Sequence, residues 1–167
     1  MIEIVEVTSR QQYRAFFQFP FELYRNCPQW VPPITKEEMD IFDPQKNAVF
    51  EHAMARLFLA KKKGKVVGRI AAMINWVEIE ELKKTKVRFG WYDTIDDLQV
   101  SQKLIEAVEG VAIAEGMTYI EGPMGFSNMD KAGLLVHGYD HMNTMITWYH
   151  YPYQKVHLEK LGLKKQS

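Results

Sequence analysis

Four groups of residues in this chain carry side chains able to do chemistry. An apolar stretch, Val87-Arg88-Phe89-Gly90-Trp91-Tyr92, runs into the acidic loop Asp93-Thr94-Ile95-Asp96-Asp97. A strand-to-helix loop is where bare backbone amides gather an anion, and glycines let the backbone come close to it. Here aspartates stand in that loop and glycines do not, so Asp96 and Asp97 read as caps for the amides of the following helix. His137-Gly138-Tyr139-Asp140-His141 spaces two imidazoles four residues apart, which on a helix would set both toward a metal. Gly133 and Gly138 argue against a helix there and no third ligand stands out, so no metal is expected. Ser127 follows the turn Gly122-Pro123-Met124-Gly125, yet Gly125-Phe126-Ser127-Asn128-Met129 lacks the second glycine of a nucleophile elbow. Finally, Trp148, Tyr149, Tyr151 and Tyr153 alternate through one short run. They are either packing residues whose hydroxyls reach water or, in one case, a proton donor.

The elements that must position these residues follow from periodicity and punctuation. Ile2, Ile4, Val5 and Val7 suggest a first strand, and Thr8-Ser9 cap a helix over about 10–18. The aromatic and proline-rich stretch 19–33 predicts irregular packed chain, because proline denies the backbone a donor. A second helix is expected over 36–42. Two apolar runs, 55–60 and 66–74, flank Lys61-Lys62-Lys63-Gly64-Lys65 and predict a β-hairpin whose lysines solvate the turn. After the acidic loop, Val100, Leu104, Val108, Val111 and Ala112 recur at helical spacing and should lie on a sheet. Gly116 ends that helix, 118–121 resumes as strand, 126–149 shows no period, and a last helix runs from Pro152 to Gly162.

With 167 residues the chain is expected to form one domain with a sizeable core, over 1–167. The 21 basic and 21 acidic residues balance, so no net field favours nucleic acid or a membrane surface. The single cysteine, Cys27, cannot close an internal disulfide. Met1-Ile2-Glu3-Ile4-Val5-Glu6 lacks the features of a secretory signal, and the apolar runs are far short of a membrane span, so the cytoplasm is the expected compartment.

The order strand, helices, hairpin, strand, helix, strand, helix resembles the GNAT superfamily of acyl-CoA-dependent N-acyltransferases. His157-Leu158-Glu159-Lys160-Leu161-Gly162-Leu163 is similar to that superfamily's closing-helix signature, Leu-Tyr-Glu-Lys-Leu-Gly-Phe. Phe89-Gly90-Trp91-Tyr92-Asp93, Gly122-Pro123-Met124-Gly125-Phe126-Ser127 and Gly133-Leu134-Leu135-Val136-His137-Gly138-Tyr139 resemble a bacterial GNAT-like branch. The resemblance implies an α/β (α+β) fold, a mixed and mostly antiparallel sheet flanked by helices. It implies acetyl-CoA or another acyl-CoA as cofactor, paired with Trp91, Tyr92, Asp93 and Thr94 on the fourth strand and its loop. Asp93, near where a base of that superfamily can lie, is a candidate base toward an amine, Tyr153 is a candidate proton donor alongside Tyr149, Tyr151 and His157, none of them at the motif position, and Gly122, Phe126 and Ser127 are candidates for a ligand cleft.

Three departures accompany it. The pyrophosphate loop carries carboxylates, which repel a diphosphate. Leu158 stands where the superfamily has its proton-donating tyrosine. The strands that follow the last helix are missing, which suggests either the N-terminal part of a longer protein or an open sheet edge covered by a second copy or domain. Two functions stay open: an N-acyltransferase acting on a small-molecule amine, and a non-catalytic binding or assembly module on the same fold.

Overall fold

The computed structural model describes residues 1–166. The chain opens with β1 (Ile2–Glu6), α1 (Arg10–Leu23), α2 (Thr35–Ile41) and a 3-10 turn (Ala48–Glu51). It continues through β2 (Ala53–Lys62), β3 (Lys65–Asn75), α3 (Trp76–Leu82), β4 (Lys86–Thr94), α4 (Leu98–Ala114), β5 (Tyr119–Glu121) and α5 (Pro152–Lys160). The strands lie in the order β1-β2-β3-β4-β5. All neighbours are antiparallel except β4 and β5, which pair in parallel. This is the mixed, mostly antiparallel sheet flanked by helices that the sequence suggests.

Local chemistry explains most of these elements. At the β2–β3 turn Lys63 and Gly64 have φ of 52° and 77°, the left-handed pair of a tight hairpin loop. Ser9 and Gln12 form a capping box at the start of α1. Proline opens α5 and Gly162, at φ 89°, lies just past its end. The stretch 126–149 forms neither helix nor strand.

Two elements depart from expectation. The first is α1, which runs to Leu23 with Pro20 inside it, instead of stopping near residue 18. Proline has no N–H to give to the Phe16 carbonyl four residues back. Arg69 of β3 repairs this loss, since its Nη1 donates to Phe16 O at 3.0 Å. The second is α3, which no period announced. Its start is capped by Asn75, and its Glu78 pairs with Arg88 and Lys86 of β4.

Alternation sorts the sheet into two faces. Phe58, Ala60, Ile70, Ala72 and Ile74 pack under α4 with Val100, Leu104 and Val108. Leu57, Leu59, Ala71 and Met73 pack on the other side with Phe16, Phe17 and Phe42. In β4 the alternation slips. Arg69 pairs with Asp93 and Ala71 with Gly90, so β4 spends one more residue than β3 over the same span. The extra residue is Trp91, at φ 50°. A bulge of this kind reverses the facing of every residue beyond it. Val87 and Phe89 face α4, Trp91 turns toward Phe42 on the α1 side, and Tyr92 returns to α4. Asp93 consequently faces α1 and Arg69.

Beyond Arg88, β4 and β5 no longer pair. The chain after β5 crosses β4 instead, with Met124 N donating to Phe89 O at 2.8 Å. A Cβ on Gly90 would lie 2.3 Å from Met124 O, and one on Gly122 would lie 2.2 Å from Phe89 O. Both crossing points therefore require glycine.

Candidate functional site

The end of β4 that the bulge turns toward α1 gathers buried polar groups. Asp93 Oδ2 accepts from Arg69 Nε at 3.0 Å and Nη2 at 2.8 Å, and Oδ1 accepts from the Tyr24 hydroxyl. Arg69 and Asp93 are each about 95% buried. Burial, then the Asp93 charge, pushes the Tyr24 phenol well above its ordinary range, so it stays protonated and donates. His150 is fully enclosed and makes a hydrogen bond with Leu135 N. Burial lowers its pKa to about 4, against the pull of the Asp93 charge, which makes it a neutral imidazole at pH 7.

A carboxylate offers about four lone-pair positions, and the three donors on Asp93 leave room for one more. A cavity of about 30 Å³ opens beside it, walled by Tyr24, Trp30, Arg69, Asp93, Trp148 and Tyr149 among others. That is space for one or two groups the size of water. Trp148 Nε1, on this wall, is the one buried side-chain donor without a partner among the described residues. Pro33, Glu38 and Lys131 also bound the cavity, and they bound a second, outer cleft of about 450 Å³ between α2 and the 129–146 segment.

The other residues singled out from sequence lie close by but turn different faces. The Trp91 side chain is buried on the α1 side and its Nε1 donates to Glu38 at 2.6 Å. Tyr92 points the opposite way and shares a 2.6 Å hydrogen bond with Ser101. Thr94 is fully buried. The carbonyls on the free edge of β4 are already engaged: Gln154 Nε2 donates to Tyr92 O at 3.2 Å and the Tyr153 hydroxyl donates to Thr94 O. Burial and neighbouring negative charge, Asp93 included, hold the Tyr153 phenol far above its ordinary range. Gly122 packs on Phe89, and Phe126 is 1% exposed inside the α1-side core. Ser127 caps a turn, accepting from Met129 N at 3.2 Å.

At the start of α4, Asp97 is the N-cap, accepting from Gln99 N at 3.0 Å and pairing with Lys62 at 3.2 Å. Asp96 lies 3.0 Å from His157 Nε2, and His157 Nδ1 lies 2.7 Å from Ser101 Oγ. The trio has the connectivity of a serine triad in reverse orientation. Ser101 is wholly buried and the carboxylate is the exposed end, so no substrate can reach the hydroxyl. Among the described residues no three His, Cys, Asp or Glu side chains gather as metal ligands, and His141 pairs with Asp140 at the surface. No described helix is long and apolar enough to cross a membrane.

These features test the fit of coenzyme A in the manner the resemblance implies. That manner needs unpaired strand backbone and a bare helix start. Here the Tyr92 and Thr94 carbonyls are occupied and the helix start carries its own carboxylate, so the residues do not fit that manner of binding. Sequence reasoning missed Tyr24, Arg69 and Gln154. Arg69 had a signal, a lone charge inside the apolar run 66–74. Tyr24 and Gln154 had none, because long-range packing alone brings them to β4.

No protein-family model matches the chain. It is 33% identical over 157 residues to protein YghO of Escherichia coli K12, covering 94% of this chain and 40% of that protein. It is 32% identical over 140 residues to a protein named bacterial ceramide synthase from Caulobacter vibrioides, covering 83% of this chain and 36% of that protein. The chain thus spans about two fifths of the length of these curated relatives. Among solved structures, a predicted acetyltransferase of Clostridium acetobutylicum with acetyl-CoA superposes at a TM-score of 0.61 and 10% identity. That match covers 99% of this chain and 92% of the other. A tandem GNAT protein from the clavulanic acid biosynthesis pathway superposes at 0.56 and 12% identity, covering 72% of this chain and 35% of the other. Identities so low speak for architecture alone, and by that architecture the chain has a GNAT-like fold.

Proposed function

We propose that the chain is the GNAT-fold part of an N-acyltransferase acting on an amine. The observation that carries this reading is the single open acceptor position on Asp93 beside a cavity the size of an amine head group. An ammonium or amine N–H placed there would complete the carboxylate's hydrogen bonding, and Asp93 would hold or take up its proton. Tyr24, kept protonated, and Arg69 would fix the orientation of that carboxylate. The name of the Caulobacter relative agrees with the reaction class, since ceramide is an amide. The acyl donor, an acyl-CoA by analogy with the fold, would bring the carbonyl carbon. The amine nitrogen would form the amide bond as the thioester C–S bond breaks, and the thiolate would leave with the proton that the amine gives up. Its binding along β4 calls for withdrawal of Tyr153 and Gln154 from the strand's edge.

The engaged edge favours a second reading, in which the same fold is a binding or assembly module. Its partner would be another domain or a second copy, paired on β5, a three-residue edge strand. Calorimetric titration with acetyl-CoA and coenzyme A separates the two. On the transferase reading, binding is about micromolar. It tightens roughly twofold to tenfold in Tyr153→Phe, which frees the Thr94 carbonyl. No heat at millimolar ligand in either protein would end the transferase reading and leave the module.

A further inference from the structure

Beyond Arg88, where β5 leaves β4, the helix α5 takes over the free edge of the strand, and it does so through polar side chains. Tyr153, Gln154 and His157 share one face of the helix, since positions three and four apart are neighbours. The Tyr153 hydroxyl donates to Thr94 O at 2.5 Å and Gln154 Nε2 to Tyr92 O at 3.2 Å. His157 Nε2 donates to the Asp96 carboxylate at 3.0 Å. Its Nδ1 lies 2.7 Å from Ser101 Oγ, which shares a hydrogen bond with the Tyr92 hydroxyl. The Asp96–His157–Ser101 trio is closed to substrate, yet it ties α5 to the loop before α4, to α4 itself and to a side chain of β4.

Apolar anchoring of the helix is slight by comparison. Of its nine residues Gln154, His157 and Leu158 are buried, and two of these are polar. Val156 is 44% exposed, and Leu161 and Leu163, past the helix end, are half-buried. Tyr151 at the helix start adds another polar tie, to Leu23 O at 3.1 Å. Hydrogen bonds to a carbonyl exchange for those of water or a ligand at small net cost, whereas lost apolar burial has no such replacement. A helix held in this way can leave its place without the sheet coming apart.

We propose that α5 is a self-inserted strap, fastened at Asp96 and His157, that shuts the β4 edge and opens as a unit before an amide-bearing arm can pair with the Tyr92 and Thr94 carbonyls. Carbonyls only accept, so the arm must present N–H groups, as the amides of coenzyme A do. The choice of ligand rests on the transferase reading above; the strap rests on the contacts of α5 alone.

Hydrogen exchange, measured without ligand, reads the opening directly. Amides at 156–160 should be protected at least about tenfold less than those of α4 between Leu104 and Val111. Asp96 is exposed, so Asp96→Ala should keep the fold, which circular dichroism checks. It should speed exchange in α5 about twofold to fivefold and leave α4 unchanged. Tyr153→Phe should speed α5 about twofold to tenfold, and in the double variant the two factors should multiply, as one opening requires. Affinity scales with the fraction of molecules in the open state while that fraction is small. Coenzyme A and pantetheine, its neutral amide arm, should therefore both bind more tightly to Asp96→Ala. For pantetheine the factor should match the one read in exchange. Pantetheine carries no phosphate, so removal of the Asp96 charge does not by itself account for the gain.

Protection in α5 equal to that in α4, or α5 exchange unmoved by Asp96→Ala, would overturn the strap. So would pantetheine affinity that stays constant while α5 exchange rises, and in that case the transferase reading stands. Exchange that rises in both variants while neither coenzyme A nor pantetheine binds keeps the strap and removes the transferase reading.

Discussion

Arg69 offers a sharp test of how the core is built, because one guanidinium serves two debts. It neutralises buried Asp93 and it gives Phe16 O the donor that Pro20 cannot. Arg69→Met should therefore leave a buried carboxylate uncompensated, at a cost of about 3–5 kcal/mol. It should also orphan a buried carbonyl, at a cost of about 1–3 kcal/mol. The second part is repairable from a different residue. Pro20→Ala restores an N–H four residues after Phe16, within a helix that already has the right geometry. In the Arg69→Met background that N–H meets an orphan acceptor; in the wild type it meets one already satisfied. A double-mutant cycle by urea denaturation should show Pro20→Ala more favourable in the Arg69→Met background by about 1–2 kcal/mol. Should the two substitutions add within about 0.5 kcal/mol, the claim that Arg69 substitutes for the missing proline donor is wrong. If Arg69→Met proves too unstable to measure, Arg69→Lys, which keeps charge but loses the planar fork, carries the same cycle at reduced amplitude.

Two further outcomes are expected. His150 titrates near 6.5 in the unfolded chain and near 4 when buried, so as pH falls the unfolded state takes up its proton first. Its effect on stability is absent above about pH 6.5, grows unfavourable down to about pH 4 and then levels, a loss on the order of 3 kcal/mol. Denaturation midpoints across that range should fall less steeply in His150→Gln, and parallel slopes in the two proteins would count against a neutral buried imidazole. Gly90→Ala drives a Cβ to within 2.3 Å of Met124 O and should cost more than about 2 kcal/mol by forcing the crossing segment off β4. A change in midpoint worth less than about 0.5 kcal/mol would mean that the crossing yields easily.

Several elements were legible because their signals are local. The spacing of Val100, Leu104 and Val108 announces α4, the Lys63-Gly64 pair announces the hairpin turn, and Pro152 with Gly162 brackets α5. The continuation of α1 through Pro20 was not legible, because what permits it is Arg69, dozens of residues away in sequence. The bulge at Trp91 was hidden for a related reason. Every residue of β4 is buried, Lys86, Arg88 and Asp93 included, so a slip of phase exchanges one buried face for another and leaves no apolar-to-exposed break to read. That slip decides which way Asp93 faces, and hence which residues meet it. The site could be located on β4 from sequence, but its partners Tyr24, Arg69 and Gln154 could not be named.

The self-capped start of α4 has a consequence for any phosphate-bearing ligand. Asp97 is tethered to the amides it caps, so it competes for them as an intramolecular rival, at an effective concentration in the millimolar range or above. A free anion arriving there displaces a neighbour that never diffuses away, and its apparent affinity is scaled down by the fraction of time that rival leaves the amides free. The helix end thus behaves as a receptor sold with its antagonist attached, and binding strength at this point would be gained by removing a side chain, not by adding one.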